Sequence, residues 1–182
     1  MKFVFDERRA TEAAARVLRM AGGSMRYIDL LKVLYLADRR SLIETGETIT
    51  GDEMWAMHQG PVLSLLYDQI KAGGAGKPIL GGAIAKKDRY WVELKREPAE
   101  VGPLSRYEKD LLRQVFDELG GDHARIMDAV HRLPEWNDPG EGKSQRIDPV
   151  TILKASGKSK SEIQGLVSEA DYYYEIGRRA LG

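Results

Sequence analysis

From Met25 to Ala37 the chain is apolar almost all the way round a helix, with Asp29 and Lys32 as its narrow polar stripe. A helix with no broad polar face has no side to give to water, so other elements must surround it. This segment, opened by Ser24, is therefore expected at the centre of the fold, with Leu31 and Leu34 inside. A chain of 182 residues can wrap one such helix into a single core but is short for two domains.

The wrapping elements follow from local signals. Asp6 can cap a first helix whose Ala10, Ala13, Ala14, Val17 and Leu18 share a face, ending at Gly22-Gly23. After Asp38-Arg39-Arg40 a separate short helical turn through Leu42 and Ile43 runs to Gly46. Thr50-Gly51-Asp52 reads as a turn followed by a strand through Met54, Ala56 and His58, and Gly60-Pro61 as a helix start with Val62, Leu65, Leu66 and Ile70 on its apolar face. Five glycines between residues 73 and 82 predict a flexible loop; a hairpin over 84–94 follows, turning at Lys86-Lys87-Asp88-Arg89. Ser105 and Glu108 form a capping box ahead of a helical stripe from Tyr107 to Leu119. Further helices are predicted over Asp122–Leu133, from Asp148-Pro149 through Leu153, and beyond Ser161, where Ile163, Leu166, Val167, Ala170 and Tyr174 recur at helical spacing. The fold class is α+β: a mainly α-helical single domain over 1–182 with a small antiparallel β-sheet, residues 141–182 being a C-terminal helical extension of it.

Composition narrows the functions. Hydrophobic residues at 42% and charged residues at 31% suit a globular protein, and 28 basic against 28 acidic residues leave no overall field to draw nucleic acid or an anionic membrane. The absence of cysteine removes disulfides and cysteine-ligated metals and suits the cytoplasm. The charged run Asp6-Glu7-Arg8-Arg9 leaves no room for a signal-peptide core, and no stretch holds the ~18 apolar residues of a membrane span. Gly142-Lys143-Ser144 and Gly157-Lys158-Ser159 lack the glycine that a phosphate loop carries five residues earlier, where Asn137 and Ile152 stand. His58, His123 and His131 do not make a two-histidine helical metal pair, and no serine or threonine sits in a nucleophile elbow. Asp38, Asp52 and His58 would make a metal or proton-transfer group if they converged; the plainer expectation is that both aspartates cap turns or helices and His58 satisfies a buried backbone group. Arg8, Arg9, Arg16, Arg19 and Arg26 alternate with acids, the pattern of a solvated face.

Three blocks in order, Lys32-Val33-Leu34-Tyr35-Leu36-Ala37-Asp38-Arg39, Ile49-Thr50-Gly51-Asp52 and His58-Gln59-Gly60-Pro61-Val62 onward to Asp68, resemble the signature of the Panacea (SocA-like, GepA-like) domain. His131-Arg132-Leu133-Pro134-Glu135-Trp136 resembles that family's second stretch. The resemblance spans about residues 10–140. It implies an antitoxin of a bacterial or phage-associated toxin–antitoxin system: not an enzyme, without a cofactor, binding a cognate protein toxin directly and, in SocA-type members, acting as a proteolytic adaptor that delivers the toxin to ClpXP. The alternatives are a DNA-binding regulator of its own operon and then a metal-dependent enzyme; autoregulation through an added helix-turn-helix is not expected from these termini.

The expected toxin-binding or motif surface comprises Asp38, Thr50, Gly51, Asp52, Trp55, His58, Gly60, Pro61, Tyr67, His131 and Trp136. Thr50-Gly51-Asp52 and Gly60-Pro61 are expected to shape one loop surface beside Asp38 and His58, with Gly51 at positive φ. Trp55, Tyr67 and Trp136 are the candidate anchors for the toxin, since rigid aromatic rings give large contact area at small entropic cost. Tyr67 and Tyr174 are also expected to pack on their helical stripes, and Tyr172 to face solvent.

Overall fold

The computed structural model describes residues 1–72, 78–97 and 102–181. The first helix, α1 (Glu7–Met20), is capped by Asp6, whose carboxylate accepts the N–H groups of Arg8 at 2.9 Å and Arg9 at 3.0 Å. Its predicted apolar face is buried. A three-residue strand, β1 (Ser24–Arg26), precedes the central helix α2 (Tyr27–Thr45). Leu30, Leu31, Val33, Leu34 and Tyr35 of α2 are fully buried, and α1 and the later helices pack around it.

Two predicted boundaries of this region move. Residues 24–26 are not the helix start, because Met25 pairs with Val92 in a sheet. The separate turn after Arg40 is instead a continuation of α2. Asp38-Arg39-Arg40 contains no helix breaker, and each charge finds a partner elsewhere: Asp38 in residues 49–50, Arg39 in Glu135 and Arg40 in Glu118.

Strands β2 (Met54–Met57) and β3 (Gly60–Leu63) form an antiparallel pair with Ala56 opposite Pro61, and α3 (Ser64–Lys71) follows. Gly60-Pro61 therefore opens a strand and not a helix. The strand tolerates Pro61 because β3 is the edge of its sheet, where a missing N–H costs no ladder bond. Helix α3 starts at Ser64 because Asp52 caps it from a distance, accepting the N–H groups of Leu65 at 3.0 Å and Leu66 at 2.9 Å.

Of the predicted glycine loop, residues 73–77 lie outside the described residues, while Pro78–Ala83 is a helix, α4, packed on α1 through buried Leu80 and Ala83. That burial overrides the poor helix propensity of its two glycines. Strands β4 (Ile84–Lys86) and β5 (Trp91–Leu94) form the expected hairpin and join β1 in a sheet of order β1-β5-β4. The Ser105–Glu108 capping box opens α5 (Arg106–Leu119), and Asp122 caps α6 (His123–His131). An unforeseen strand, β6 (Ser144–Arg146), pairs with β2 and completes a second sheet of order β3-β2-β6. Helix α7 (Pro149–Ala155) packs on α2, and α8 (Lys160–Leu181) packs on α7. The result is one mainly helical α+β domain. Among the described residues no helix is long and apolar enough to cross a membrane.

Candidate functional site

The signature residues converge on one side of α2, most of them below the surface. Asp38 is fully buried. Its Oδ1 accepts the backbone N–H groups of Ile49 at 3.0 Å and Thr50 at 3.2 Å, and its Oδ2 accepts the Thr50 hydroxyl. Burial pushes the Asp38 carboxyl up to about 7, against the opposing pull of these bonds. Asp52, also buried, turns its carboxylate to α3 and to the N–H of Glu53; burial pushes it up to about 6. Both aspartates thus hold the turn and a helix end, as the plainer expectation had it.

Gly51 stands at φ +70°, and a Cβ there would lie 1.9 Å from the carbonyl oxygen of Val4. The turn is pressed against the segment leading into α1, and the Asp6 N–H donates to the Thr50 carbonyl at 2.9 Å. Gly60, at φ +99°, leaves space for the fully buried Lys32: its Cβ would come 3.0 Å from Lys32 Nζ and 3.2 Å from Val130. Lys32 Nζ donates to the Pro61 carbonyl at 2.9 Å, and burial brings its ammonium down to about 7. Lys32 is accordingly a strut between α2 and β3.

The second stretch of the signature closes on the same helix. Glu135, with its side chain fully buried, accepts the Tyr35 hydroxyl at 3.1 Å and Arg39 Nε at 2.6 Å on Oε1, and Arg39 Nη2 at 3.3 Å on Oε2. Trp136 donates its indole N–H to the Met57 carbonyl at 3.0 Å and stacks on His131 with ring centroids 4.5 Å apart. His58 is exposed and faces Asp138 at 2.9 Å, not a buried backbone group and not Asp38. Among the described residues no group of three or more histidine, cysteine, aspartate or glutamate side chains is placed to hold a metal.

The remaining aromatics divide. Trp55 is half-buried and donates its indole N–H to Glu53 at 3.2 Å. Tyr67 is half-buried against the core with its hydroxyl 2.9 Å from Lys71 Nζ. Tyr172 and Tyr173 are exposed, and Tyr174 is half-buried. Sequence reasoning passed over Lys32, Tyr35, Arg39 and Glu135 as functional positions. The available signal was a lysine, a tyrosine and an arginine at spacings of three and four on one face of an otherwise apolar helix.

A family model described as antitoxin SocA-like, Panacea domain, matches residues 30–137, more than half of the chain. The chain belongs to the SocA-like antitoxin family. No curated protein and no solved structure matches it. The Panacea match begins at Leu30 inside α2 and ends at Asn137, so it encloses the framework of Lys32, Asp38, Thr50, Asp52, Gly60 and Glu135. The carboxylates of Asp38, Asp52 and Glu135 have no oxygen without a hydrogen-bond donor, so these groups are committed to holding the Panacea domain together.

Proposed function

We propose that this chain neutralises a small protein toxin by direct contact in the cytoplasm and performs no chemistry of its own. The observation that carries the reading is the SocA-like family match over residues 30–137. The inward commitment of the signature's charged groups supports it: those residues act as scaffold, and recognition falls to outward side chains. Trp55, Tyr67 and Trp136, each half-buried, are the proposed anchors; His131 stacks on Trp136 and His58 faces Asp138, while Asp38, Thr50, Gly51, Asp52, Gly60 and Pro61 are proposed to shape the surface. Residues 141–182 belong to the same domain in this reading, since β6 extends the β2 sheet and α7 packs on α2. A specific interface would bury ~1,200–2,000 Å² in total.

The test expresses the neighbouring gene with and without this one, then repeats the pair with alanine at the three aromatics. Rescue of growth by the wild-type chain, weakened by the alanines, is the expected result; toxicity that persists despite abundant folded protein contradicts the reading. We further propose delivery of the toxin to ClpXP as the route. Rescue that fails without ClpX or ClpP supports delivery, and rescue without either replaces it with sequestration.

A further inference from the structure

We infer that the turn of the β4–β5 hairpin and the end of α3 form a docking groove for an acidic segment of the partner protein. The inference rests on the antitoxin reading above. The groove, of about 570 Å³, is lined by Tyr27, Lys71, Lys86, Lys87, Arg89 and Tyr90. All but Tyr27 are exposed, Tyr90 at 56%, and beside them Trp91 is 39% exposed.

Three of the four cations are held in place by neutral groups. Lys71 Nζ lies 2.9 Å from the Tyr67 hydroxyl and 4.9 Å from the centre of its ring, Lys86 Nζ donates to the Lys71 carbonyl, and the Arg89 guanidinium stands 5.3 Å over the Tyr90 ring. Among the described residues none of the four makes an ion pair with a carboxylate. The nearby acids offset this charge only in part: Asp88 lines the groove with its Oδ1 accepting the N–H groups of Tyr90 at 2.7 Å and Trp91 at 2.9 Å, and the charge of Asp68 acts on Lys71.

Four cations facing two acids are a local excess in a protein whose net charge is zero. Such a patch steers an oppositely charged partner, and the arginine and tyrosine in its lining are of the types that carry binding energy at protein interfaces. The two acids in or beside the groove suit a short carboxylate-bearing segment better than the long phosphate track of a nucleic acid. The groove reaches Tyr67 through Lys71, which ties it to one of the proposed anchors.

The experiment compares the wild-type chain with K86E/K87E/R89E and with K86R/K87R/R89K, all checked for unchanged melting temperature. It measures their affinity for the purified product of the neighbouring gene and for a duplex DNA at physiological salt, and growth rescue by each. The expected result is a loss of about tenfold or more in affinity, with loss of rescue, in the charge-reversed chain and retention of both in the charge-conserving one. Wild-type binding and rescue that survive charge reversal overturn the groove and leave the antitoxin reading standing. DNA bound more tightly than the protein, and lost on reversal, overturns it in favour of a nucleic-acid groove. A wild-type chain that neither binds nor rescues removes the antitoxin reading and the inference with it.

Discussion

Lys32, Asp38, Asp52 and Glu135 lie inside the fold with their polar atoms bonded across long stretches of chain, whereas Lys86, Lys87 and Arg89 stand in solvent on a hairpin turn. Both sets are charged residues, yet they answer to different physics. A buried charge costs several kcal/mol unless its partners are in place, so the first set fixes the relative positions of α2, residues 49–52, β3 and residue 135. An exposed charge contributes little to stability and remains available to a partner. The difference separates residues that hold this fold together from residues that leave their charge in solvent.

The largest expected effect is at the turn. Gly51→Val puts a β-branched residue at φ +70° with its Cβ on the Val4 carbonyl, and should cost about 3 kcal/mol or more, read as a collapse of the urea midpoint. A midpoint within error of wild type would mean the turn does not bear on the fold as described. Glu135→Ala comes next, at about 3 kcal/mol, because it leaves Arg39 and the Tyr35 hydroxyl without their buried acceptor; Glu135→Gln keeps an acceptor and should lose less. Equal losses for the two would show that packing, not the bonds, is what Glu135 supplies.

Asp38 sharpens the comparison through pH. The unfolded chain ionises this carboxyl near its ordinary value of 3.8, while the folded chain holds the proton to about 7. A group raised on folding contributes fully below its unfolded value and loses that contribution as pH rises through its folded one. Asp38→Asn imitates the protonated acid, so wild type should lose stability relative to the variant between about pH 4 and 7. Asp52 shifts in the same direction and its charge helps to raise Asp38, so the difference reports Asp38 together with that coupling. Parallel stability curves across that window would contradict the burial argument. The smallest effect is expected at exposed Tyr172, where alanine should change stability by no more than about 0.5 kcal/mol in thermal melts. A loss of partner binding in Tyr172→Ala at unchanged stability would extend the binding surface onto α8.

The central helix was legible in the sequence because an apolar circumference has only one destination, the caps at Asp6 and Ser105 were legible because capping acts within three residues, and helix starts were readable at Asp122 and Asp148-Pro149, where the aspartates prove to be the caps. Gly60-Pro61 misled for the complementary reason: its local pattern fits a helix start, but the cap of α3 sits 13 residues upstream of Leu65, at Asp52. Ser144-Gln145-Arg146 is wholly exposed and joins the sheet through backbone bonds and an ion pair of Arg146 with Glu53 at 3.2 Å, so no hydrophobic alternation announced it. The motif positions Asp38, Thr50 and Asp52 were readable as a constellation. The roles of Lys32 and Glu135 were not, because their partners lie 29 and about 100 residues away.

The most direct test of the central claim, that this fold binds a toxin as a partner, is titration calorimetry between the purified chain and the product of its neighbouring gene. Saturable binding with a raised melting temperature of the mixture is the predicted result, since a ligand bound only by the native state stabilises it by mass action. No heat of binding and no mutual stabilisation, from two proteins each shown to be folded, would contradict the account.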